Sequence, residues 1–124
     1  MSTEQTVSMD NQPVNPEFYD AHEPVRMDAI QVIASMAEAT DSPMSIWGNT
    51  DRAVAAAEAL WVYASRTGLS GNEESACVVV QDLLNDLMHL CEQKGITHPD
   101  MPFMSIVDSA QMSYMGEIED DSNL

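Results

Sequence analysis

Apolar residues recur at intervals of three and four along most of this chain, which is the spacing of amphipathic α-helices. There is no alternating strand pattern and no internal repeat. The sequence therefore predicts an all-α fold, a compact bundle of about four helices. Segments containing proline or glycine separate the predicted helices, which cover residues 24–39, 49–67, 70–94 and 100–116.

The third predicted helix separates apolar and polar positions most clearly. We expect Ser70 or Asn72 to cap it, Glu73 and Glu74 to lie in its first turn, and Lys94-Gly95 to end it. Its core-facing positions are Ala76, Val80, Leu83, Leu84, Leu87 and Cys91. The opposite side is polar and includes Asp82, Asp86, His89 and Glu92.

The fourth predicted helix is apolar on two faces, whereas packing on one side of a small bundle requires only one. The predicted core face consists of Phe103, Ile106, Val107, Ala110 and Tyr114. The second face carries Met101, Met104, Met112 and Met115. Together with Trp47, these methionines predict a partner or dimer interface, because methionine adapts to irregular partners. The alternative is that the bundle or the N-terminal segment covers this face.

The two ends of the chain differ from its middle in composition. Residues 1–23 contain five acids, no base and two prolines, and predict a flexible acidic arm. Residues 24–116 form the predicted bundle, and residues 117–124, with four acids and no base, form a predicted solvated tail. Because neither a signal-peptide pattern nor a membrane-length apolar run occurs, we expect a cytoplasmic protein. We expect both Cys77 and Cys91 to be reduced and buried.

Charge limits the kinds of partner. The chain has 21 acidic and four basic residues, a formal net charge of −17. Such a field repels nucleic acid and anionic membranes and attracts basic protein surfaces. Nine of the 21 acids lie in the two terminal segments, so the predicted bundle itself is only moderately acidic.

The pattern that most resembles a chemical site is Asp82, Asp86 and His89, spaced for one helix face. Asp86 and His89 have the acid-x-x-His spacing of di-iron bundles, but the chain has no second segment of that kind. There is also no P-loop, dinucleotide fingerprint or nucleophile elbow. We therefore expect no metal, no cofactor and no catalytic residue, and a metal-dependent helical enzyme is the least favoured hypothesis.

The segment Val80-Gln81-Asp82-Leu83-Leu84-Asn85-Asp86-Leu87-Met88-His89-Leu90-Cys91, followed by Lys94-Gly95-Ile96, resembles part of small accessory proteins of bacteriophages and mobile elements. In those proteins a leucine-rich helix ends in a glycine, and a short helix closing on an aromatic follows, as from Phe103 to Tyr114 here. The resemblance covers residues 76–115 and implies a mobile-element origin. Small acidic phage proteins include anti-CRISPR and anti-restriction inhibitors, several of which imitate DNA.

These observations favour an inhibitor that binds and blocks a host nucleic-acid-binding defence complex, anti-CRISPR first and anti-restriction next. The expected partner is a host protein with a basic nucleic-acid-binding surface, with no direct contact to nucleic acid or membrane. The acidic residues expected to meet it, with carboxylates imitating the phosphates of DNA, are Glu73, Glu74, Asp82, Asp86 and Glu92. The alternative is a homodimeric structural or adaptor protein that associates through the methionine face.

Overall fold

The computed structural model describes residues 23–71 and 73–122. Within these residues there are two isolated β-bridges but no strand, so the predicted all-α bundle is confirmed. The predicted arm lies outside the described residues except for Glu23. The four helices in the described part are α1 (Met27–Glu38), α2 (Asn49–Thr67), α3 (Ala76–Gln93) and α4 (Phe103–Ser122).

Helix α2 is the central element and packs against α1, α3 and α4. At its start, the Asp51 carboxylate accepts hydrogen bonds from the N–H groups of Trp47 (2.8 Å) and Gly48 (3.2 Å). The bond from Gly48, the N-cap residue, satisfies a donor that the helix start leaves without an intrahelical partner, and the bond from Trp47 fixes the residue before it. Its end is the predicted one, because Gly68 has a φ of 80°, which glycine adopts without steric penalty.

A short backbone pairing holds the starts of α1 and α3 together. The Ala76 N–H donates to the Val25 carbonyl (2.8 Å), and the Met27 N–H donates to the Glu74 carbonyl (2.9 Å). The backbone entering both helices is extended here, so α1 begins three residues later than predicted. For the same reason Glu73 and Glu74 precede α3 instead of lying in its first turn, which corrects the prediction; Asn72 lies outside the described residues.

Buried residues follow the contact of α1 with α2, and the hydrophobic cluster lies where the starts of α1 and α3 meet the second half of α2. Its buried residues are Met27, Leu60, Ala64, Ala76 and Val79. The prediction placed Val80 in the core, but Val79 is fully buried whereas Val80 and Leu84 are exposed. The buried face of α3 is therefore rotated toward α2 relative to the prediction. Cys91 is buried as expected, but Cys77 is exposed, so the prediction for Cys77 is wrong.

Helix α4 contacts the rest of the bundle near its two ends. It continues to Ser122, so the predicted end near Gly116 is wrong. The residues beyond Gly116 attach to the start of α2: Arg52 Nε lies 3.2 Å from Glu117 Oε2, and the Asn49 amide donates to the Glu117 carbonyl at 3.1 Å. Phe103, Ile106 and Val107 are half-buried as predicted, but Ala110 and Tyr114 are exposed. None of the described helices combines the length and the apolarity needed to cross a bilayer.

Candidate partner-binding surfaces

Asp86 on α3 and Tyr63 on α2 make a side-chain contact between the two helices. The Tyr63 hydroxyl donates a hydrogen bond to Asp86 Oδ2 at 2.5 Å. This hydrogen bond, aided by burial and by the negative charges of Asp86 and Asp82, raises the pKa of Tyr63 to about 12. The phenol therefore stays protonated at neutral pH and acts as a hydrogen-bond donor.

The predicted acidic residues do not form one continuous face. Asp82, which is half-buried, and Asp86 lie on the side of α3 near Tyr63. Glu92 is six residues beyond Asp86, which places it about 120° away around the helix at ~100° per residue. Glu73 is exposed and Glu74 half-buried in the segment that precedes α3. The structure therefore brings Asp82 and Asp86 together but places Glu92 on another side of the helix.

Glu92 instead borders an open groove between the second half of α3 and the start of α4. The groove has a volume of about 650 Å³. Its lining combines apolar and polar side chains: Asn85, Met88, His89, Glu92, Thr97, His98, Pro99, Pro102 and Phe103. A concave site with apolar walls and a few polar groups is the usual form of a binding site for a side chain or small ligand.

The segment between α3 and α4 forms one wall of this groove, and local hydrogen bonds shape it. Gly95 adopts a φ of 71°, and the Ile96 N–H donates to the Cys91 carbonyl at 2.9 Å. His98 and Met101 exchange two backbone hydrogen bonds of 3.1 and 2.8 Å, which close a tight loop. Sequence reasoning missed the groove; the prolines at positions 99 and 102, one within this loop and one directly after it, were the available signal.

The methionine face of α4 is open to solvent. Met101, Met104, Met112 and Met115 are all exposed, Met112 by 77%. Every residue from Asp108 to Gly116 is exposed, so no described part of the bundle covers the middle of this helix. Trp47 is 88% exposed, and its loop does not fold back over the side chain. These five residues are therefore accessible to a partner as far as the described residues determine.

Asp82, Asp86 and His89 do not converge, although their spacing suggested a common site. Asp86 bonds to Tyr63, whereas His89 lines the groove. Within residues 23–71 and 73–122, no group of three His, Cys, Asp or Glu side chains is placed to hold a metal ion.

Comparison with other proteins adds nothing to this geometry. No protein-family model matches the chain, and no curated protein and no solved structure is similar enough to count as a match. The groove, the acidic residues and the methionine face are therefore the features of this protein that bear on its function.

Proposed function

We propose that the protein acts by binding a partner protein with a basic, nucleic-acid-binding surface. The first candidate for this partner is a host CRISPR effector complex, and the second is a restriction enzyme. The observation that supports this proposal best is the open groove bordered by Glu92, because it combines apolar walls with a carboxylate. Such a site accepts an arginine or lysine whose stem packs on Met88 or Phe103 while its charge pairs with Glu92.

The charge of the chain favours this kind of partner. A net charge of −17 attracts a Lys/Arg-rich surface over distances of about one Debye length, ~8–10 Å at physiological salt, and accelerates association. Charge complementarity alone contributes more to the orientation of the two proteins and to the rate of their association than to their affinity. The apolar groove walls supply the short-range contact that a purely acidic surface lacks.

This arrangement differs from simple imitation of DNA by a row of carboxylates. Asp86 already accepts a bond from Tyr63, and Glu117 pairs with Arg52. Glu73 and Glu92 are exposed on different parts of the α3 region. We therefore propose docking by a groove together with dispersed negative charge, with no catalytic step.

A phage challenge tests the biological part of the proposal. The protein is expressed in bacteria that carry an active CRISPR system targeting the infecting phage, and in matched cells without that system. We expect plating efficiency to rise only in the CRISPR-positive cells. The same comparison with a restriction system tests the second partner class. No rise with either system would contradict the proposed function.

A pair of charge reversals tests the binding surface. Glu92→Lys should weaken binding to the immobilised effector complex by about tenfold or more, because it places a like charge opposite the partner's base. The matched control is Glu38→Lys, which makes the same charge change at an exposed position on α1. It should weaken binding to the effector complex by less than about threefold, because it acts only through long-range electrostatics. Equal losses for the two variants would show that net charge, and not the groove, governs binding.

A further inference from the structure

The groove beside Glu92 is rich in hydrogen-bond acceptors. The Glu92 carboxylate only accepts, and the neutral imidazoles of His89 and His98 each offer one acceptor nitrogen. All three side chains belong to exposed residues, so a ligand can reach them. No lysine or arginine is among the described residues that line the groove. The lining therefore suits a cation that carries several hydrogen-bond donors.

The segment that forms one wall of the groove has few free donors of its own. Pro99 and Pro102 have no N–H group. The N–H of Thr97 donates to an α3 carbonyl at 3.2 Å, and the N–H of His98 donates to the Met101 carbonyl at 3.1 Å. This wall therefore offers little to an anionic ligand.

The polar side chains that α3 contributes to the groove share one face of that helix. Asn85, His89 and Glu92 follow each other at intervals of four and three residues, the spacing of neighbours on a helix surface. Phe103 lines the groove from the start of α4. The groove thus combines a carboxylate with an aromatic ring. A guanidinium group suits both, because it forms two parallel hydrogen bonds to a carboxylate and stacks on an aromatic face.

We propose that the groove binds an arginine side chain in preference to lysine. This preference rests on the proposed function, because it names the residue that the basic partner inserts. Arginine presents five donors on a planar, weakly hydrated group, whereas the lysine ammonium is a compact, strongly hydrated charge with three donors. The aromatic wall therefore favours arginine, while the carboxylate attracts both residues.

The two imidazoles make occupancy of the groove depend on pH. The titratable groups in its lining are His89 and Glu92 from α3 and His98 from the connecting segment, whereas Pro102 and Phe103 carry none. Between pH 8 and about 5.5, imidazoles gain protons while carboxylates and guanidinium groups keep their charge. The charge of the lining then changes from negative toward positive. Acidification should therefore expel an arginine side chain.

Blocked single residues test the preference directly by nuclear magnetic resonance at pH 8. The methylamide of α-N-acetyl-arginine should shift the imidazole signals of His89 and His98, with a dissociation constant at least about threefold lower than that of the corresponding lysine compound. Glu92→Gln should weaken arginine binding by about tenfold, because it removes the charged acceptor. The matched control, Glu38→Gln on α1, should leave it unchanged.

The aromatic wall has a test of its own. Phe103→Leu should bring the affinity for the arginine compound down to about that for the lysine compound, because leucine keeps the apolar contact and removes the ring face. Circular dichroism that matches the wild-type chain shows that this variant is folded. An undiminished arginine preference in the folded variant would overturn the role of the ring.

A pH series locates the arginine relative to the imidazoles. Lowering the pH from 8 to about 5.5 should weaken binding of the arginine compound by at least about fivefold, because two like charges then line the groove. The double variant His89→Gln, His98→Gln should lose most of this pH dependence, since glutamine does not titrate. Wild-type binding that does not change with pH would place the arginine elsewhere and overturn the site.

Other outcomes separate this inference from the proposed function. Equal affinity for the arginine and lysine compounds, or histidine shifts caused by inorganic phosphate and not by the arginine compound, would overturn the arginine site. An arginine-selective groove in a protein that binds neither a CRISPR effector complex nor a restriction enzyme contradicts the proposed function alone. Effector binding that Glu92→Lys abolishes, in a groove without arginine preference, contradicts this inference alone.

Discussion

Tyr63 and Asp86 join α2 and α3 at a point where both helices are partly open to water. Because the hydrogen bond and the nearby carboxylates disfavour the phenolate, the pKa of Tyr63 is raised to about 12. The same contact fixes the direction of one Asp86 oxygen. The Tyr63 phenol thus occupies one carboxylate oxygen of the acidic surface that the sequence predicts for a partner.

A spectroscopic titration tests this contact at the level of one residue. The rise in phenolate absorbance with pH should show a late step near 12 that is absent from Tyr63→Phe and present in Tyr114→Phe, the control. Asp86→Asn should move the late step down toward the ordinary tyrosine pKa of roughly 10. An unchanged late step in Asp86→Asn would mean that Asp86 does not cause the shift.

The sign of the accompanying pH effect on stability follows from linkage. The unfolded chain releases the Tyr63 proton at about 10, whereas the folded chain retains it until about 12. The stabilisation is therefore complete below about pH 10 and is lost as pH rises through about 12. Tyr63→Phe should remove this part of the alkaline loss of stability, as measured by urea unfolding across that pH range.

At the scale of a helix, two neighbouring valines of α3 test which face is buried. Val79 is fully buried in the core cluster, whereas Val80 is 44% exposed. Val79→Ala should lower the free energy of unfolding by roughly 2 kcal/mol, from two lost methyl groups plus the cavity they leave. Val80→Ala should change it by less than about 0.5 kcal/mol. Urea unfolding of both variants makes the comparison, and equal effects would contradict the orientation of α3.

The error in orienting α3 shows what periodicity does and does not determine. The spacing of apolar residues predicts the helix and its end at Lys94, but it places the start of the helix several residues too early. It does not distinguish Val79 from Val80, because both are apolar valines, 100° apart, at the edge of a broad apolar face. The choice depends on how α3 sits against Leu60 and Ala64 of α2, which is tertiary information.

Helix ends show the same limitation. The end of α2 at Gly68 was predictable because a left-handed glycine is a local feature. The late start of α1 was not, because Val25 and Met27 bond to residues about 50 positions away. The end of α4 depends on Arg52 and Asn49, which hold Glu117 from another helix. Features set by neighbouring residues are thus recovered from the sequence, and those set across the fold are missed.

For the molecule as a whole, the excess of negative charge sets the response to salt. Self-repulsion at a net charge of −17 favours expansion of the chain, whereas the half-exposed Arg52–Glu117 ion pair contributes at most about 1 kcal/mol of stability. We expect the repulsion among the many negative charges to exceed the attraction within this ion pair. The midpoint of thermal unfolding should therefore rise by several degrees, on the order of 4–8 °C, between about 0.01 and 0.3 M sodium chloride.

Two controls accompany the salt experiment. Potassium chloride at equal ionic strength should give the same rise, because screening does not depend on the identity of the cation. Arg52→Ala should give a slightly larger rise than wild type, since it removes an attraction that salt weakens. A melting temperature that falls with salt would show that specific ion pairs outweigh the net repulsion.

At the scale of the whole molecule, the sequence predicted some of the candidate surfaces and missed others. The exposed methionines lie where two-faced amphipathicity placed them, because a surplus apolar face is visible in the sequence. Trp47 was predicted separately, from an apolar side chain in a loop, and it is exposed. The acidic residues scatter, because Glu92 lies about 120° around α3 from Asp86 and because Glu73 and Glu74 precede the helix. The groove was missed entirely, since it forms where Phe103 approaches Asn85 and His89 across a loop that periodicity does not describe.

The link between Asn49 and Glu117 also bears on the order in which the chain assembles. It joins positions 68 residues apart, while the core cluster is complete by Val79. Closing the longer loop costs more chain entropy, and synthesis at about 5–20 residues per second delivers α4 some two to eight seconds after Val79. In the nascent chain, α1, α2 and the start of α3 can therefore pack together first. The methionine-rich helix α4 then packs against elements that precede it in synthesis.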